Sequence, residues 1–187
     1  MLRRLLILIP LSLPAIAVVG AEAMPFTLSS RDVLPGRPMP IAHVFNDAGC
    51  AGGNRSPSLE WRGAPVGTKS FAITMFDLDE RRSPSGWWHW VLYDVPATIS
   101  AIAENAGGVK EPRLPAGTNS GRTDLGNDAY HGPCPGKGEP AHRYLITIYA
   151  LSVSKLPVPP EASGAMVSFM VRDYALAKAT LTATYAR

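Results

Sequence analysis

Residues 74–92 read TMFDLDERRSPSGWWHWVL. An apolar run ends in two carboxylates, Asp77 and Asp79, a turn rich in Ser, Pro and Gly follows, and a lone histidine, His89, then sits among Trp87, Trp88 and Trp90. Just upstream, residues 70–76 are apolar nearly throughout, which suits a central strand covered on both faces. Downstream, residues 88–95 read as a second central strand, closed by Pro96. Strict alternation would put Trp88 and Trp90 on one face and His89 and Val91 on the other. A carboxylate and an imidazole meeting at the end of an apolar wall make a small polar pocket, the default expectation for a ligand site.

Working outward, the chain reads as mainly β. Residues 26–30 alternate apolar and polar, and residues 37–45 offer a further strand broken by Pro38 and Pro40. Residues 46–57 are dense in turn formers and read as loop; residues 58–61 form a short strand. The long Gly- and Pro-containing region 97–127 reads as surface loop. His142, Arg143 and Tyr144 open another apolar strand that runs to Leu151. At the end, Met166, Phe169, Met170, Tyr174, Ala177, Leu181 and Tyr185 recur at steps of three and four, which predicts one packed helix beginning after Gly164.

Composition narrows the function classes. With 187 residues, 46% of them hydrophobic and 18% charged, the chain can bury a core and is neither disordered nor low-complexity. A formal charge of +3 with scattered Lys and Arg argues against a nucleic-acid groove. The first residues read as a targeting segment: Arg3 and Arg4, an apolar run to Val19 interrupted by Pro10 and Pro14, then Ala21-Glu22-Ala23. Cleavage before Met24 is expected, leaving residues 24–187 as one exported domain, periplasmic or secreted, with no stable membrane span.

In an oxidising compartment Cys50 and Cys134 can pair, whereas in a cytosol they would be thiols. The histidines, at positions 43, 89, 131 and 142, show no HExxH or close Cys/His spacing, so neither metal nor cofactor is expected. Residues 130–138, YHGPCPGKG, cannot be regular strand or helix, and glycine there lets backbone amides approach an anion. From residue type alone, His89 reads first as a core histidine bonded to a backbone carbonyl, and the two acids as solvated turn residues.

The order of SPSLEW at 56–61, DLD at 77–79, WHW at 88–90, YHGPCP at 130–135 and AHRYLITIYAL at 141–151 resembles the phosphatidylethanolamine-binding protein family. Within it, the match is to the bacterial YbhB/YbcL branch, the Raf-kinase-inhibitor-like proteins. The resemblance implies a large antiparallel sheet packed on a smaller one, peripheral helices that include a C-terminal one, and an anion pocket at one end. It carries the pocket residues onto Asp77, Asp79, His89, Gly132, Pro133, His142 and Tyr144, with Cys134 beside them. It also brings the loops of Cys50 and Cys134 together, so that an exported chain joins them in a disulfide. Two departures lie at the rim: Gly136-Lys137 stands where relatives continue in prolines, and Glu80 follows the acid pair where a small residue and proline are commoner.

The resulting expectation is an exported binding protein for a phosphate-like or carboxylate anion, such as a phospholipid head group or a small phosphorylated metabolite, able to modulate a protein partner. His89 and the amides of Gly132 and Cys134 would donate to the anion, Tyr144 would offer its hydroxyl, and Asp77 would hold the rim. Two alternatives stand beside it. One is a small hydrolase using His89 with Asp77, for which no nucleophile motif such as GxSxG is present; the other is a kinase- or protease-inhibiting interaction module independent of the pocket.

Overall fold

The computed structural model describes residues 24–83, 85–108 and 112–187, so the expected targeting segment lies outside it. Three short strands, β1 (Thr27–Ser29), β2 (Leu59–Arg62) and β5 (Ala101–Ile102), form a small antiparallel sheet in the order β1-β2-β5. Five others form the large sheet: β3 (Ser70–Asp77), β4 (Trp87–Pro96), β6 (Asn119–Ser120), β7 (His142–Leu151) and β8 (Ala175–Tyr185), in the order β6-β4-β3-β7-β8, all antiparallel. One helix, α1 (Gly164–Tyr174), packs on the outer face of that sheet. No described helix is long and apolar enough to cross a membrane.

Side-chain parity sorts the core into two layers. Phe71, Ile73 and Met75 of β3 face the small sheet, where they meet Leu59, Trp61 and Ile102. Ala72 of β3 and Val91 and Tyr93 of β4 face the other way, toward Val167 and Val171 of α1. Since β3 and β4 are covered on both faces, their sequences read as continuous apolar runs.

Between β3 and β4 the pairing passes from Met75↔Trp90 to Phe76↔Trp88, leaving His89 as the extra residue of a β-bulge. Strict alternation therefore fails at this point. Trp88 joins the layer under α1 and Trp90 the layer between the sheets, on opposite faces rather than the same one. The bulge turns His89 to the inter-sheet side, where its ring meets Tyr144 edge-on at 5.3 Å between centroids.

The expected C-terminal helix is present but stops at Tyr174, and residues 175–185 are strand β8 along β7. The spacing misleads because four is also a multiple of two. Ala177, Leu181 and Tyr185 share one face of a strand as readily as of a helix, with Thr180, Thr182 and Thr184 alternating between them. Ser163 caps α1 by accepting from the Met166 amide, and the helix buries Gly164, Val167 and Val171. Met166 and Phe169, placed on the buried stripe by spacing, are 44% and 62% exposed. Residues 37–45 do not form a strand either: Pro38 and Pro40 lack donors, and only Met39 and its neighbours pair with Thr184 before a 3₁₀ turn at Ile41–His43.

Candidate functional site

The parity that builds the inter-sheet core also builds a site at its end. Asp77 continues the series Phe71, Ile73, Met75, and it stands opposite Tyr144 in the β3–β7 register. Tyr144 and His142 continue the inward series of β7. With His89 aimed in by the bulge, the three strands deliver polar groups to the place where the apolar core runs out.

There they border a cavity of about 420 Å³. Asp77, His89, Gly132, Cys134 and Tyr144 line it, together with Phe45, Trp87, Leu125 and His131. Three further residues on its wall carry formal charge: Glu80, Arg82 and Arg187. The loop holding Gly132 is fixed by Asn54, whose Oδ1 accepts the Gly132 amide at 2.8 Å and whose Nδ2 donates to the Tyr130 carbonyl. A side chain at 132 would drive its Cβ into the His43 carbonyl oxygen, so the close approach of these loops requires glycine.

The remaining expected residues take different places. His142 lies behind Asp77, its Nδ1–H donating to Asp77 Oδ2 at 2.8 Å while its Nε2 stands 3.3 Å from Glu139 Oε2. Pro133 stays out of the cavity wall; its carbonyl accepts from the Phe45 amide. Asp79 faces away, bound bidentately by Arg143 at 2.7 and 2.8 Å, on the rim of a separate cavity of about 150 Å³. Arg143 holds the Asp79 carboxyl down at about 2. Cys134 is joined to Cys50, and the Arg187 guanidinium packs over the sulfurs and donates to the Ala48 carbonyl.

Hydrogen bonding defines what the cavity offers. His89 Nδ1 is 2.8 Å from the His131 carbonyl, which only accepts, so the proton sits on Nδ1 and the neutral ring turns its Nε2 lone pair to the cavity. Burial makes protonation of His89 harder. The Gly132 amide, expected to meet an anion, is already engaged by Asn54. The Tyr144 hydroxyl and His131 Nδ1 are both buried without a hydrogen-bond partner among the described residues. Burial pushes the Tyr144 hydroxyl far up, with adjacent Asp77 adding to the effect, so it remains an O–H donor. At the mouth, Arg82 grips Glu80 bidentately at 2.7 and 2.9 Å and draws its carboxyl down to about 2.

Sequence reasoning passed over His131, although it lies inside the quoted YHGPCP motif, and over Asn54, one polar residue among many in a turn-rich loop. Arg82 and Arg187 carry no sequence signal, because nothing local marks an arginine as cavity-lining.

The profile of the family described as phosphatidylethanolamine-binding protein matches residues 29–186. The chain is 40% identical over 171 residues to the UPF0098 protein YbcL of Escherichia coli, covering 91% of this chain and 93% of YbcL. It is 42% identical to YbhB of the same organism over 158 residues, covering 84% and 98%. LppC of Mycobacterium tuberculosis, named as a candidate lipoprotein, is 30% identical over 164 residues, covering 87% and 73%. The crystal structure of E. coli YbcL superposes with a TM-score of 0.83 at 41% identity, covering 87% of this chain and 98% of that one.

Proposed function

As the chain belongs to the phosphatidylethanolamine-binding protein family, we propose that its cavity binds a phosphate-like anion and that the protein is an exported binding protein rather than an enzyme. One observation carries this reading. Tyr144 and His131, whose hydroxyl and Nδ1 are buried and unpartnered among the described residues, line the same 420 Å³ cavity as Asp77 and His89. Buried polar atoms without partners are costly, and a polar ligand head is what offsets that cost. Arg187 on the wall adds a cationic group that draws an anion in, Arg82 being paired with Glu80, while Phe45, Trp87 and Leu125 accommodate the apolar stem of an organic phosphate or carboxylate.

Binding is favoured over catalysis by what stands beside His89. Among the described residues lining the cavity, the hydroxyl belongs to Tyr144, held protonated by burial, and the sulfur of Cys134 is in a disulfide. Neither is an activated nucleophile. The disulfide, the targeting pattern of the first residues and the lipoprotein name of LppC support export.

Titration calorimetry with inorganic phosphate, acetate and phosphoethanolamine tests the reading on wild type and His89→Ala, with circular dichroism to check the fold. Binding by wild type that weakens roughly tenfold in a folded His89→Ala protein is expected, from loss of the hydrogen bond at His89 Nε2, a lone pair that meets the anion through a shared proton. Equal binding by both proteins would return His89 to the role of a core histidine.

A further inference from the structure

We propose that the Cys50–Cys134 disulfide is a thiol-exchange site: a small anionic thiol enters the cavity and attacks Cys134, and Cys50 leaves as a thiolate held by Arg187. This goes beyond the binding role proposed above and holds whichever other anion the cavity takes.

The two sulfurs are unequally placed. Cys134 is half-buried and lines the cavity, whereas Cys50 is buried and forms no part of the cavity wall. A nucleophile arriving through the cavity therefore meets Cys134 first, and displacement there leaves the electron pair of the S–S bond on Cys50.

Arg187 stands at both sulfurs. Its Nη1 lies 3.4 Å from Cys50 Sγ and 3.5 Å from Cys134 Sγ, and it donates to the Ala48 carbonyl at 3.1 Å. The Gly138 amide donates to the Arg187 carbonyl at 3.1 Å, so the backbone of this arginine is anchored as well. Gly49, at φ +81°, makes room for the guanidinium, since a Cβ there would lie 3.1 Å from Nη1. Among the described residues no carboxylate pairs with Arg187, whereas Glu80 neutralises Arg82. Neutral disulfide sulfurs are weak acceptors for such a cation, but a thiolate beside it is strongly favoured. One group thus draws an anionic thiol into the cavity and stabilises the sulfur that leaves.

In the exchange step the entering thiolate, its proton already given to solvent, forms a bond to Cys134 Sγ as the bond to Cys50 breaks. The entering sulfur is oxidised to the disulfide level and Cys50 is reduced to a thiolate, so the thiol itself is the reductant. The product carries the thiol on Cys134, inside the cavity.

The full chain, folded and at neutral pH, is treated with mercaptoacetate, mercaptoethanol or cysteamine, alkylated with iodoacetamide at early times and mapped by peptide mass spectrometry. The thiol adduct is expected on Cys134 and the alkyl group on Cys50. Each opening rate is divided by that of the same disulfide in urea-unfolded protein, which removes differences between the thiols. On that scale the anionic mercaptoacetate should exceed the cationic cysteamine at least roughly tenfold. Arg187→Gln should slow mercaptoacetate by roughly tenfold, the effect of one charge-assisted hydrogen bond, and Arg187→Lys should keep most of the rate. Adduct on Cys50, equal scaled rates for the three thiols, or an Arg187→Gln protein that opens as fast as wild type overturns the inference. None of these results bears on phosphate binding, which calorimetry measures separately.

Discussion

Asp77 Oδ2 and His142 Nδ1 stand 2.8 Å apart with both side chains 3% exposed, so the carboxylate lining the cavity is anchored from behind by a buried imidazole. The pair joins the end of β3 to the start of β7, and the Glu139 contact of His142 extends it to the loop bearing Gly136, whose amide Glu139 accepts at 2.7 Å. Removing one partner of such a pair leaves the other polar group buried alone. Asp77→Ala, which leaves the His142 Nδ1–H without its acceptor, is expected to lower stability by about 3 kcal/mol. Urea denaturation checks this, and a loss below about 1 kcal/mol would show the pair to be incidental to the fold.

The Cys50–Cys134 disulfide spans 84 positions and fixes one wall of the cavity. Chain-entropy reasoning puts the destabilisation on reduction at up to about 4 kcal/mol. Thermal melts with and without reductant should show a lowered midpoint, and phosphate affinity should fall in parallel because Cys134 and Gly136 lose their anchor. A reduced protein that melts and binds as the oxidised one does would contradict the assigned role.

Gly132 offers a sharper test of how the loops are packed. The substitution Gly132→Ala would drive a methyl group into the His43 carbonyl oxygen and to 2.5 Å from the Phe45 nitrogen, both backbone atoms that cannot swing aside. A loss of at least about 2 kcal/mol is expected from such overpacking. Chemical denaturation of the variant measures it, and a wild-type midpoint would mean the loops stand further apart.

Stability should also depend on pH in two windows. Burial lowers the proton affinity of His89 and His131, the latter to about 4, against an ordinary value of 6.5 in the unfolded chain. Between these values the unfolded chain binds more protons, so stability falls as pH drops from about 6.5 toward 4. The loss from His131 is on the order of 2 kcal/mol. Asp79 and Glu80, both held near 2 by arginine partners, contribute stability that is present above about 4 and is lost only as pH falls further toward 2. Urea midpoints from about pH 7.5 to about pH 3 measure both; a midpoint unchanged between about pH 7 and about pH 4.5 would contradict the burial of these rings.

Much of this site was legible because strand parity is simple. The apolar runs before Asp77 and after Tyr144 implied central strands, and their ends coincide in space because the strands are register neighbours. The bulge was hidden: one extra residue at His89 changes no composition, yet it moves Trp88 and Trp90 to opposite faces. Strand β8 was hidden by a spacing common to helix and strand. Asp79 looked equivalent to Asp77, but its partner Arg143 lies 64 positions away on the outward face of β7, a relation that pattern reading cannot supply.

The central claim is that an anion head enters beside His89 and His131, and side-chain nitrogen NMR of the histidines tests it most directly. Free at about pH 7, His89 should show the neutral form protonated on Nδ1, as its bond to the His131 carbonyl requires. Added methyl phosphate should shift the ring nitrogens of His89 and His131 and leave His43 unmoved, because His43 is buried away from the cavity with its Nδ1 on the Arg55 carbonyl. Ring signals of His89 that stay in place at saturating methyl phosphate, or a shift of His43 as large as theirs, would contradict the account.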